Sequence, residues 1–171
     1  MRTRSKLLVL SFCLVCLSCF RLFAQEGGKA LFSLPPFERG VVCIKYFEGL
    51  HSWKEYPYVG YGHRILPGER FTAAMTERQA DSLLRADLMK RFTSFQRFGK
   101  DAFLLTVLSY NVGEYRLLGN GKRPKSILVR KLELGDRDIY REYVSLCRYK
   151  GKVLRGLVKR RKVEFTLFYI P

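Results

Sequence analysis

Acid is scarce in this 171-residue chain. Fifteen Asp and Glu face 32 Lys and Arg, a formal net charge of +17. Such a field draws polyanions: nucleic acid, an anionic membrane or an anionic wall polymer. Charge alone does not choose among them. Cysteine is also sparse where it would matter. Of five, Cys13, Cys16 and Cys19 crowd the N-terminus, leaving Cys43 and Cys147 for the rest of the chain. Two so far apart exclude a cysteine-based metal site. They either form a disulfide in an oxidising compartment or act as small buried apolar groups. Internal repeats and low-complexity segments are missing. Apolar residues make up 47% of the chain, an ordinary share that excludes disorder and supports one domain with one core.

Long apolar runs are missing too, with one exception. Leu7 to Phe20 is apolar or small throughout, behind the basic head Arg2, Arg4 and Lys6, and Arg21 ends it. The run is too short to span a bilayer comfortably and has the length of a signal-peptide core. The sequence is therefore expected to divide into a signal peptide at 1–24, cleaved after Ala24, a short leader at 25–36 and a folded domain at 37–171. An uncleaved anchor, or a lipid at Cys19, is the alternative. Loss of Arg2, Arg4, Lys6 and Arg21 would leave 28 basic against 15 acidic residues, still +13. An exported basic domain meets cell wall rather than nucleic acid, and no nucleic-acid motif is present. A membrane is met only in passing, through the signal segment.

The rest reads as α+β. Pro35-Pro36 opens a helix over 37–50, with Phe37, Val41 and Ile44 inward at helical spacing. Glu48 falls four residues after Ile44, a carboxylate on the apolar stripe, and Gly49 closes the helix. Residues 56–68 have strand residues and turn glycines and read as a hairpin. Thr76 and Gln79 form a capping box for a helix to Phe95. A helix from Asp101 is apolar almost all round, which marks it as central. Further helices are expected at 125–134, 138–148 and 154–168, the last with Leu154, Val158, Phe165 and Phe168 inward. Arg160 and Glu164, at i,i+4, read as a helix pair. Arg161 and Lys162 read as a solvated face. The expected architecture is a small hairpin lobe and a mainly helical lobe, with a cleft between.

One stretch concentrates the chemistry. Residues 46–65 hold both histidines, His51 and His63, and the only tryptophan, Trp53. A glycosidase needs a proton donor beside the scissile oxygen, and Glu serves when low-dielectric surroundings raise its pKa. Glu48 is placed for that work, although on position alone a frayed helix end is the better reading. Five segments in order shift the balance. They are Phe47-Glu48-Gly49 with Gly60-Tyr61-Gly62-His63; Thr76-Glu77-Arg78-Gln79-Ala80-Asp81 with Leu83 to Leu88; Leu108-Ser109-Tyr110-Asn111-Val112-Gly113; Leu128 to Leu132 before Gly135-Asp136; and Gly151 to Glu164. Together they resemble the phage-type lysozymes, glycoside hydrolase family 24.

That resemblance implies a lysozyme-like fold and cleavage of the β-1,4 bond between N-acetylmuramic acid and N-acetylglucosamine in peptidoglycan. It implies a monomer without cofactor or metal. Glu48 matches the family's catalytic acid, and Tyr58, Tyr61, His63 and Asn111 fall at substrate-binding positions. The chain departs from the family between Glu48 and Gly60. This segment is shorter than the family's, the hairpin Asp has no counterpart, and Tyr58 stands where a Thr is expected. An inverting hydrolase needs a second carboxylate about 6.5–9.5 Å from the acid. Glu55 could supply it, or His51 or His63 could act as base. Alternatively Glu48 works alone, as in a lytic transglycosylase, or the chain binds wall without cleaving it.

Overall fold

The structure is a computed structural model that describes residues 29–171. The expected signal segment lies outside the described residues. Residues 29–33 are helical, and a separate unit covers Pro36–Pro171.

Helix α1, Pro36–Glu48, starts on the proline pair and buries Gly40, Val41, Cys43 and Ile44. It stops where the sequence places Gly49, whose φ is +67° and whose N–H donates to Lys45 O at 3.0 Å. After the 3-10 turn Trp53–Glu55 come β1, Tyr58–Val59, and β2, His63–Arg64, an antiparallel pair in the register Tyr58↔Arg64 and Val59↔His63. The three-residue loop between them needs two left-handed residues, and Gly60 (φ +58°) and Gly62 (φ +95°) provide them. The hairpin is thus shorter in its ladder than the 56–68 span suggested.

Helix α2, Glu77–Phe95, begins with the expected box. Gln79 N–H donates to Thr76 Oγ1 at 3.3 Å, and Thr76 N–H donates back to Gln79 Oε1 at 2.9 Å. A 3-10 segment, Gln96–Asp101, leads into α3, Ala102–Val112. Seven of the eight residues from Ala102 to Ser109 are buried, so α3 is the central helix. The two polar side chains of that buried run are satisfied on their own helix, Thr106 Oγ1 donating to Ala102 O and Ser109 Oγ to Thr106 O. Helices α1, α2 and the last helix all pack against α3. Phe103 joins three of these elements, edge-on to Phe37 and stacked on Phe92 at 4.6 Å.

The short helices α4 (Glu114–Leu118), α5 (Ile127–Glu133) and α6 (Tyr140–Ser145) follow, and α7 (Arg155–Phe168) ends the body. Two expectations need correction here. Helix α6 does not reach Arg148. A second hairpin begins there, β3 (Arg148–Tyr149) with β4 (Lys152–Val153). Lys150 and Gly151 both have positive φ, the two-residue turn that matches strand twist. The inner face of α7 is also different. Leu154 is exposed, while Arg160, Arg161 and Glu164 are buried beside Leu167 and Phe168. Arg161 is therefore no solvated residue, since its guanidinium is neutralised inside the core. Cys43 and Cys147 are free and buried. Burial, the main cause, pushes the Cys43 thiol up to about 12, so it packs as an apolar group.

Candidate active site

Glu48 lies at the last position of α1, with its side chain 19% exposed. Its Oε1 accepts from Arg160 Nη1 at 2.6 Å. On the other side stands the hairpin loop. A Cβ added to Gly62 would meet Glu48 Oε2 at 3.5 Å, so the loop backbone lies close to the carboxylate. The hairpin is pinned in that place by two bonds. His51 N–H donates to Gly60 O at 2.8 Å, and Tyr110 Oη donates to Tyr61 O at 3.0 Å.

Arg160 is itself held from behind. Its Nε donates to Glu164 Oε1 at 2.8 Å, while Arg161 Nη1 donates to Glu164 Oε2 at 2.6 Å. Tyr143 Oη donates to the same Oε2, and Arg161 Nη2 donates to Asn111 Oδ1 at 2.5 Å. Burial opposes the charge on Arg160, but the carboxylates of Glu164 and Glu48 outweigh it and lift its pKa above the ordinary value. A buried ion network thus runs from the core to the tip of α1. It fixes the carboxylate of Glu48 and the amide of Asn111 as one unit.

A cavity of 660 Å³ opens beside this unit, lined by Gly62 and Tyr58 from the hairpin and by Asn111 and Tyr115 from the helical side. Its wall is of mixed charge: Arg64, Lys90 and Arg91 stand with Asp87 and Glu114, and Arg91 pairs with Glu114 at 3.8 Å. Such a site can present one carboxyl group to a bond lying in the cleft, between a rigid helix end and a glycine loop.

A family model for phage lysozyme matches residues 45–164. The chain belongs to the phage lysozyme family. Among curated relatives it is similar to an endolysin of Bacillus phage B103, 31% identical over 150 residues, which covers 77% of this chain and 52% of the endolysin. The chain thus spans about half the length of that relative. Among solved structures it resembles the muramidase domain of SpmX from Asticaccaulis excentricus, with 28% identity, a TM-score of 0.61, and coverage of 77% of this chain and 95% of that one. It also resembles a mutant of P22 lysozyme, with 19% identity, a TM-score of 0.58, and coverage of 75% and 94%, which shows the fold. The phage lysozyme architecture expected from the five motifs is therefore present: a helical body with small antiparallel hairpins.

Within this phage lysozyme frame the expected residues separate into two groups. Glu48, Tyr58 and Asn111 lie at or beside the cleft. Tyr61 is buried, with its hydroxyl donating to Glu77 Oε1 at 3.2 Å and Lys45 Nζ 5.0 Å from its ring centroid. Glu55 is exposed and closes a capping box, its Oε2 accepting from both Ser52 N–H and Ser52 Oγ at 2.8 Å. The Ser52 hydroxyl and backbone bonds hold its pKa below the usual carboxylate value. His63 lines the cleft with both ring nitrogens engaged, Nδ1 with Asp87 at 2.7 Å and Nε2 with Glu69 at 2.8 Å. It braces the hairpin against α2.

Sequence reading missed Arg161 and the burial of the Arg160–Glu164 pair. The i,i+4 spacing was visible, but spacing does not say which way a helix face turns. It also missed Tyr115, for which no motif gave a signal.

The His63 brace has a testable pH dependence. Burial disfavours its charge, but the bonds to Glu69 and Asp87 outweigh that and raise its pKa. The stabilisation is then complete below the unfolded value of about 6.5 and fades as pH rises through the folded one. Urea unfolding of the wild type and a His63→Gln variant across pH checks this. The stability gap is expected to be widest at acid pH and to narrow steadily on the alkaline side.

Proposed function

We propose that the chain is an exported muramidase. It cleaves the β-1,4 bond between N-acetylmuramic acid and N-acetylglucosamine of peptidoglycan, with Glu48 as proton donor. The observation that carries this reading is the fixed carboxylate at the end of α1, gripped by the buried Arg160 and facing the Gly62 loop. Membership of the phage lysozyme family supports it. In the reaction the carboxyl proton passes to the glycosidic oxygen as the C1–O bond breaks and positive charge develops at C1; water then bonds to C1, and the proton it releases to solvent balances the one that Glu48 takes back. Asn111, Tyr58 and the cations Arg64 and Lys90 hold the strand while this happens. The charge of +13 left after loss of the signal segment, 28 basic against 15 acidic residues, fits an anionic wall polymer. The basic head and short apolar run support export, so the exported protein is expected to begin at Gln25 on N-terminal sequencing.

A second reading is favoured by one specific observation. Between Gly49 and Gly68 the only carboxylate is Glu55, and it is used as a local cap. With no free carboxylate on that segment to activate water, the 6-hydroxyl of the muramic acid itself can attack C1. Its proton then returns to Glu48, and a 1,6-anhydro ring closes. Mass spectrometry of fragments released from purified peptidoglycan separates the two. Reducing muramic ends, one water heavier, are the expected products of the muramidase. Anhydro ends assign the transglycosylase. Wall binding without any released fragment leaves only a binding module.

A further inference from the structure

The turn that replaces a longer hairpin leaves large rings in solvent. Trp53 is 73% exposed, Tyr56 65% and Tyr58 43%. Their backbone is nonetheless well fixed. The Ser52–Glu55 capping box closes the turn, Tyr56 N–H donates to Trp53 O at 3.3 Å, and Tyr58 is paired with Arg64 across the ladder. The His51 ring stands edge-on to Tyr58 at 6.5 Å. Lys54 Nζ lies 6.0 Å from the Trp53 ring centroid and adds a positive edge.

Clustered exposed aromatics on a fixed turn mark an interaction surface, because rigid rings offer wide contact area at little entropic cost. Continuity identifies the occupant. Tyr58 is at once the end of this patch and part of the wall of the 660 Å³ cleft. Tyr56 and Trp53 lie two and five positions before Tyr58 on the same fixed turn, where a ligand that extends past Tyr58 can meet them. Pyranose rings present flat C–H faces that stack on aromatic rings. A flat anionic bilayer fits less well, since Tyr58 turns into a concavity and the Glu55 carboxylate sits within the patch.

We propose that Trp53, Tyr56 and Tyr58 form a stacking platform for N-acetylhexosamine rings, a glycan subsite built on the shortened hairpin. The proposal rests on the muramidase reading and names how that site grips its strand. It also accounts for the lost hairpin length, with rings on a tight turn holding sugars that a longer ladder would otherwise reach.

The single tryptophan makes the test direct, because all tryptophan emission comes from Trp53. Titration with the N-acetylglucosamine tetramer is expected to give a saturable blue shift in both the wild type and Glu48→Gln. Tyr56→Ala is expected to weaken that binding about tenfold. On peptidoglycan, Trp53→Ala is expected to raise KM about tenfold while kcat stays within about twofold, and Trp53→Tyr to restore most of the loss. Unchanged emission at saturating tetramer, from protein that still cleaves wall, overturns the platform and leaves the muramidase standing. A blue shift from protein that cleaves no wall supports the platform and overturns the muramidase. An unchanged KM in Trp53→Ala overturns the platform, as does a shift seen only with phosphatidylglycerol vesicles.

Discussion

Glu48→Gln is expected to lower the rate of wall clearing about 100- to 10,000-fold while the protein stays folded. The substitution is close to isosteric. Its amide oxygen still accepts from Arg160 Nη1, so the grip of α7 on the tip of α1 survives. What disappears is the transferable proton. An activity assay paired with a thermal melt reads both halves. Wild-type clearing by the variant would remove Glu48 from the mechanism. A large fall in melting temperature would show a structural role in place of a chemical one. Glu48→Asp sharpens the comparison, since it keeps the proton and withdraws it by one methylene from the Gly62 loop. It is expected to fall between the wild type and the Gln variant.

Glu164→Ala is expected to have the largest effect on stability. Glu164 is fully buried and accepts from Arg160, Arg161 and Tyr143. Removing it leaves two guanidinium groups in the core without their shared carboxylate. Breaking a buried pair in this way costs about 3–5 kcal/mol. For a domain of this size the melting temperature should fall by roughly 10 °C or more. Calorimetry at neutral pH checks it, and a shift of only a degree or two would mean that the network is solvated. A compensated variant separates stability from function. Glu164→Leu with Arg161→Met removes one charge of each sign and is expected to recover much of the lost stability, because apolar packing can replace a buried ion pair. It should not recover activity, since Asn111 and Arg160 would both have lost their anchor.

The two halves of the site differ in how far the sequence revealed them. Helix α1 was readable because its signals are local: a proline pair before it, an apolar stripe along it and Gly49 after it. Glu48 stood out for the same reason, as a carboxylate on that stripe. The capping box of α2 was equally local, and its two reciprocal bonds are present. Helix α7 was misread because its inner face is charged. Hydrophobic periodicity finds apolar stripes, and a stripe made of Arg160, Arg161 and Glu164 looks like solvent-facing sequence until its partners are known. Those partners, Glu48 and Asn111, lie 112 and 50 positions away. No window along the chain holds both ends. The second hairpin was hidden by its size, since two residues per strand leave too little alternation to detect.

The distance of 112 positions between Glu48 and Arg160 also sets an order of events in time. Synthesis delivers the chain N-terminus first. Helix α1, the hairpin and the aromatic turn are therefore all available before α7 exists. Until α7 docks, Glu48 lacks the guanidinium that orients it, and Asn111 lacks the bond from Arg161. The Glu48–Asn111 unit is thus the last part of the molecule to be set. A chain interrupted after the hairpin and before Arg155 carries Glu48 and the aromatic turn but not the clamp that aligns them.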